Sequence, residues 1–155
     1  MLIPPTTKGY KGFFVPKHPQ KYKGDIEKII WRSTWEKHVM DTLDSNPNVL
    51  EWSSEQIVIK YLNPVDNQVH RYFPDMWCRL RRADGSIKCV LIEVKPYKQT
   101  KPPRQPKRRT KKFLIEAATY AVNQAKWTSA SKYCEQRGWQ FIILTEQEIF
   151  RGVNL

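Results

Sequence analysis

The sequence predicts one α/β domain in which a mixed sheet is flanked by helices, and three observations predict it. The periodicities run helix, strand, strand, strand, helices, strand. Two of the strand segments read as the arms of one tight hairpin. The 155 residues are the length of a single domain, which buries about 68–70% of its unfolded surface and needs no disulfide or structural metal.

Residues 1–24 carry Pro4, Pro5, Pro16, Pro19 and scattered lysines without an apolar period. They read as an extended basic arm, laid either on the core or on a partner. The domain proper is placed at 25–155. Asp25 to Trp31 is a candidate helical turn. Ser33 and Glu36 have the spacing of a capping box, and Trp35, Val39, Met40 and Leu43 supply the apolar stripe of a helix ending near Asn46-Pro47. Val49 to Tyr61 holds a strand at Ile57-Val58-Ile59, and Asn63 to Gln68 is a turn cluster. His70 to Trp77 leads into the next strand, and Lys88 to Lys95 forms its partner. Phe113 to Asn123 and Ala125 to Arg137 have helical spacing, with Gly138 as the stop. Trp139 to Leu144 reads as a short buried strand, and Thr145 with Glu148 caps a final turn. Trp31, Trp35, Trp77, Trp127 and Trp139 lie in apolar patterns, which assigns them to the core rather than to base stacking.

Charge narrows the partners. Lys plus Arg number 27 against 15 Asp plus Glu, a net charge of +12, with a pI near 9.7. Such a surface attracts polyanions, and double-stranded DNA is the first candidate. The excess is concentrated: from Val94 to Ile115 there is no acid, and Pro96, Pro102, Pro103 and Pro106 alternate with cations. Residues 96–112 therefore read as a basic, Pro-rich loop. Lys98, Lys101, Arg104, Lys107, Arg108, Arg109, Lys111 and Lys112 would contact phosphates, which gives affinity and salt dependence but little sequence reading. Cys78, Cys89 and Cys134 lack CxxC spacing and are odd in number, which argues against a zinc site and a disulfide scaffold. A reducing compartment fits. No stretch approaches 18 consecutive apolar residues, so neither a membrane span nor an export signal is expected.

The chemistry concentrates on the hairpin. Alternation along a strand puts Glu93 and Lys95 on one face and turns Val94 away. Turn geometry decides whether Asp75 joins them. A two-residue Asp84-Gly85 loop sets Asp75 opposite Val94, on the wrong face; a three-residue Ala83-Asp84-Gly85 loop, with Gly85 left-handed as a bulge, pairs Arg82 with Ser86 and sets Asp75 opposite Glu93. Two acids roughly 4.5–5.5 Å apart at their Cβ atoms repel unless a cation lies between them. Hard oxygen donors suit Mg²⁺ or Mn²⁺. Such an ion polarises a phosphoryl oxygen and acidifies water, with Lys95 to orient that water or offset transition-state charge, which amounts to phosphodiester hydrolysis.

Pro74-Asp75 followed by Glu93-x-Lys95 resembles the signature of the PD-(D/E)xK nuclease superfamily, whose restriction-endonuclease-like core has the order αβββαβ. A narrower resemblance runs through Trp31-Arg32-Ser33-Thr34-Trp35-Glu36-Lys37, Trp52-Ser53-Ser54-Glu55, Arg71 to Trp77 and Ile92 to Pro96. These segments, with Phe14-Val15-Pro16-Lys17 and Arg137 to Phe141, are similar to the head completion nucleases of T-even-type tailed phages, and more distantly to TnsA-type transposon endonucleases. The resemblance implies that Glu36, Asp75, Glu93 and Lys95 are catalytic, with Glu36, Asp75 and Glu93 toward the metal. It further implies action on packaged DNA in the infected host cell's cytoplasm, association with the virion and contact with head-tail connector proteins.

Several residues keep two readings at this level. The capping box explains Glu36 without a metal, and a carboxylate bonded to the Ser33 amide is less free to face one. Glu55, just before the Ile57 strand, is a candidate additional ligand. Tyr97 and Lys98 follow the motif strand and could reach the scissile phosphate, and Tyr120 and Gln124 flank it more weakly. His18, His38 and His70 have no shared spacing and are assigned to local packing. Two rival functions use the same features: a non-catalytic basic plug that binds DNA, and a transposase-type or junction-resolving endonuclease.

Overall fold

A computed structural model describes residues 11–153 and 155; the proline pair Pro4-Pro5 of the N-terminal arm lies outside them. A four-stranded mixed sheet is built from β3 (Val49–Ser54), β6 (Met76–Arg81), β7 (Ile87–Val94) and β8 (Gln140–Leu144), in that spatial order. The first three are antiparallel, and β8 runs parallel to β7. A parallel neighbour demands a crossover, which the helix α2 (Lys111–Arg137) provides.

Two cores sandwich the sheet. Met76, Cys78, Leu80, Val90 and Ile92 face α1 (Thr34–Ser45) and α3 (Glu146–Ile149), meeting Trp35, Val39, Met40, Leu43 and Ile149. Trp77 and Leu91 point the other way, to Trp127, Ala130 and Cys134 on α2. The period-2 alternation along β6 and β7 thus separates Cys78 from Cys89, which packs on the second core. All three cysteines are free thiols.

The segment before residue 25 supplies core residues. β1 (Gly12–Phe13) pairs with β2 (Ile30–Trp31), so close that a Cβ on Gly12 would stand 2.6 Å from the Trp31 ring. Phe14 and Tyr22 meet buried Trp52 edge-on, with ring centroids 5.6 and 4.7 Å away. The Lys21 ammonium donates to the carbonyls of Leu43, Asp44 and Asn46 at 2.7–2.9 Å, capping the C-terminus of α1. Asp25 to Trp31 is only partly helical: a 3₁₀ turn at Ile26–Lys28 precedes β2.

Elsewhere tertiary packing corrects the sequence expectations. The Val49–Tyr61 segment is two strands. β3 leaves the sheet at Glu55, whose φ is +55°, and β4 (Ile59–Leu62) pairs with β5 (Val69–Tyr72) in a separate hairpin. Ile59, Tyr61 and Tyr72 alternate inward, into the second core with α2 and the sheet's Trp77 and Leu91, outside the ladder of the four-stranded sheet. The run from His70 to Trp77 is likewise divided, because Pro74 has no N–H for a ladder and Asp75 precedes β6. The two helical patterns after Phe113 are one 27-residue helix, since no glycine or proline interrupts them. Thr110 caps it, accepting from the Phe113 N–H, so Lys111 and Lys112 belong to its first turn and the loop ends earlier than 112. At its far end Gly138 is left-handed (φ +69°), and the Gly138 and Trp139 amides donate to the Glu135 and Cys134 carbonyls. β8 is an edge strand, so only its Leu144 is buried. Trp31 and Trp139 are half-buried, whereas Trp52, which no pattern singled out, is fully buried.

Candidate active site

The hairpin turn sets the site. The Arg82 amide donates to the Ser86 carbonyl and the Gly85 amide to the Arg82 carbonyl, with Gly85 at φ +87°. Asp84 accepts from the Ser86 amide at 2.8 Å, holding this bulged turn. The resulting register pairs Met76 with Ile92 and Cys78 with Val90. Continued one residue further, it brings Asp75 opposite Glu93, as the three-residue loop predicts.

Each acid is then held by particular partners. Asp75 Oδ2 accepts from the Val94 amide at 2.7 Å. Glu93 is buried at 6% exposure; its Oε1 accepts from the Tyr72 hydroxyl at 2.8 Å, and its Oε2 lies 3.6 Å from Lys95 Nζ. Glu93 and Lys95 therefore share a face, while Val94 packs into the opposite core. Burial pushes the Asp75 carboxyl well above the usual range, and the Glu93 and Glu36 charges add to the effect against the Val94 amide and Lys95. Burial also raises Glu36, and the charges of Glu55 and Glu93 reinforce it.

Glu36 shows which of its two readings prevails locally. Ser33 Oγ accepts from the Glu36 amide at 3.1 Å, one half of the capping box. The reciprocal bond is displaced, because Glu36 Oε2 accepts from the Arg32 amide at 3.1 Å instead of that of Ser33. The carboxylate thus stays at the helix start, yet it lies close enough to raise Asp75 by its charge and to be raised in turn by the charge of Glu93. Glu55 borders the same cluster. Its amide donates to the Asp75 carbonyl at 3.1 Å, its left-handed backbone is unusual for a non-glycine residue, and its carboxylate pairs with the Arg32 guanidinium. Among the described residues, no three acidic, histidine or cysteine side chains are placed together so as to hold a metal ion.

The other candidates spread away from the acids. Tyr97 lies on a 3₁₀ turn, its amide bonded to Glu146 at 2.6 Å and its ring 5.5 Å from Lys101 Nζ. Lys98, Lys101, Arg104 and Lys112 line a groove against α2, with Tyr120 in the same groove; Gln124 lines a different cleft. Lys107, Arg108, Arg109 and Lys111 are exposed. The histidines are local: His18 beside Asp44, His38 stacked on Phe150, His70 beside Asp66.

Sequence reasoning gave Tyr72 and Arg32 no role. Tyr72 comes from β5, in another hairpin, so no local spacing links it to Glu93. Its hydroxyl is held protonated by burial and by the adjacent Glu93 charge, which fixes it as a donor. Tyr72→Phe is expected to cost about 1.5–3 kcal/mol, because a buried carboxylate loses a hydrogen bond. Urea unfolding measures it, and unchanged stability would show that the hydroxyl does not secure Glu93.

Two comparisons with known proteins agree with this geometry. A family model described as the TnsA-like endonuclease N terminal matches residues 46–146, a span that includes Glu55, Asp75, Glu93 and Lys95 but not Glu36. The head completion nuclease of Enterobacteria phage T4 is 43% identical over 141 residues, covering 88% of this chain and 91% of that protein. With an αβββαβ order, a mixed sheet flanked by helices and both of these matches, the chain belongs to the TnsA-like endonuclease family of nucleases.

Proposed function

We propose that this protein is a metal-dependent DNA nuclease that hydrolyses phosphodiester bonds at the cluster of Asp75, Glu93 and Lys95, with Glu36 at its margin. One observation carries the reading: half-buried Asp75, just before β6, and buried Glu93 on β7 are brought together by the hairpin register, with an ammonium 3.6 Å from Glu93. The donor set is all oxygen, and the Asp75 carboxyl is raised first by burial and then by the charges of Glu93 and Glu36, which a divalent cation would offset. Mg²⁺ or Mn²⁺ suits such donors. Asp75 and Glu93 would hold it, Glu36 would join them by leaving the Arg32 amide, and when bound the ion would supply a polarised phosphoryl oxygen and an acidified water.

The chain's own groups do the rest. The Val94 amide occupies one Asp75 oxygen, leaving the other toward a ligand. Tyr72 fixes the rotation of Glu93. Lys95 would exchange its contact with Glu93 for one to the attacking water or the non-bridging phosphate oxygens, where its charge opposes that of the transition state. The cations of residues 98–112 would grip phosphates on either side of the cut.

The T4 relative is named a head completion nuclease, so the same reading extends to action on packaged DNA in an infected cell, near the head-tail connector. No helix among the described residues is long and apolar enough to cross a membrane. Plasmid nicking with Mg²⁺ tests the chemistry: Glu93→Gln and Lys95→Ala are each expected to lose about 10²–10³-fold in rate with unchanged circular dichroism. Cleavage that survives both substitutions, or an absence of cleavage with every divalent ion tried, would leave a basic DNA-binding protein instead.

A further inference from the structure

The basic segment after Lys95 does not simply project into solvent. Its first part folds along α2 and encloses a groove of about 550 Å³. The groove is anchored at one end, where the Tyr97 amide bonds Glu146 and the Thr100 hydroxyl bonds the Tyr97 carbonyl. Lys98, Lys101, Arg104 and Lys112 line it, against a single acid, Glu116, which pairs with Lys112 at 3.8 Å. Pro102, Pro103, Ile115 and Tyr120 form its apolar walls, beside the uncharged polar Gln99 and Thr119, and Ile115 is 57% exposed.

Asn123 lies in the same groove. The residue is 94% buried by its 6% exposure, yet its side-chain amide makes no hydrogen bond among the described residues. Its oxygen and nitrogen are not among the fully buried unpaired atoms of the described residues, so they reach the groove, where they offer a donor and an acceptor side by side, the complement of a nucleobase edge. Phosphate contacts need neither that amide nor an aromatic wall; the exposed Lys107, Arg108, Arg109 and Lys111 already serve them. An aromatic ring, apolar walls and a basic rim together are the features of a site for an unstacked base with its backbone phosphates.

We infer that this groove holds one unpaired nucleotide of the DNA, so that the preferred substrate is single-stranded beside the cut. The inference rests on the nuclease reading above and specifies its substrate class. Lys98 is three residues beyond Lys95, so the groove opens within about 10 Å of the site along the chain. A base inserted there must leave its own duplex partner, which favours ends, overhangs and branches over continuous duplex.

The test uses the full chain in EDTA, where binding is read without cleavage. Fluorescence anisotropy compares a blunt duplex with the same duplex carrying a short oligothymidine overhang. The overhang is expected to bind about ten-fold more tightly. Two neutral substitutions at the accessible walls, Tyr120→Leu and Ile115→Trp, should each abolish that preference while leaving blunt-duplex affinity unchanged. Equal affinity for the two DNAs, or a preference that survives both substitutions, overturns the inference. A protein that prefers the overhang but never cleaves DNA with any divalent ion overturns the nuclease reading alone; one that cleaves without the preference overturns the groove alone.

Discussion

Asp75→Asn is expected to eliminate DNA cleavage and, in the metal-free protein, to raise the melting temperature. Asparagine keeps an oxygen for the Val94 amide but removes a charge that burial, Glu93 and Glu36 all disfavour. The folded pKa of Asp75 is above its unfolded value. The sign follows: the stabilising preference for the protonated form is complete below the ordinary aspartate range and is lost as pH rises through the raised folded value. Wild-type stability should therefore decline across that interval, and the asparagine variant should decline less. At neutral pH the gain should be on the order of 1–2 kcal/mol, or about 2–4 °C per kcal/mol for a chain of this size. Adding Mg²⁺ or Mn²⁺ should stabilise the wild type through ligand linkage and leave the variant unmoved. Differential scanning calorimetry across pH, with and without metal, measures both. A variant less stable than wild type at every pH would mean that the Asp75 charge is already neutralised by its surroundings, Lys95 foremost.

The largest loss of stability should come from Trp52→Ala. Trp52 is fully buried, and Phe14 and Tyr22 close over it edge-on. Its truncation removes a ring from the first core and undercuts the attachment of the N-terminal segment at once. A cost of about 3–5 kcal/mol is expected, a large share of the roughly 5–15 kcal/mol that holds a domain folded. Limited proteolysis should then cut first between residues 12 and 24. Trp52→Phe should retain more than half of the lost stability, since the Trp52 indole N–H has no hydrogen-bond partner among the described residues. A cost below about 1 kcal/mol in urea unfolding would show that the core repacks without the indole.

These outcomes bear on a site of which part could be read from the chain. Glu93 and Lys95 share a face because alternation along a strand is a local rule, and Asp75 joins them because Asp84 and Gly85 enforce a bulged three-residue turn within the same hairpin. Ser33, Thr145 with Glu148, and Gly138 were legible as caps for the same reason, since a cap concerns neighbours within one turn. The reciprocal bond of Glu36 escaped prediction because two successive amides, those of Arg32 and Ser33, lie within its reach, and only the tertiary setting selects between them.

Where a segment packs, by contrast, is not written in its own alternation. Ile59, Tyr61 and Tyr72 show the period of a sheet strand, yet their hairpin stays out of the central ladder and packs them into the core shared by α2 and one face of the sheet. That choice carries Tyr72 to Glu93 and leaves the strand role to Val49–Ser54. The arginine beside Glu55 and the amide at the base of the groove likewise belong to contacts between distant segments.

Chain chemistry alone established the class of the fold, the turn, the paired acids with their lysine and the concentration of positive charge, because each is a matter of spacing over a few residues. Folding in three dimensions decided which hydroxyl steadies Glu93, where the N-terminal segment lies and how the basic stretch bends over α2. Those outcomes depend on competition among apolar surfaces far apart in sequence, and no short window of residues contains both competitors.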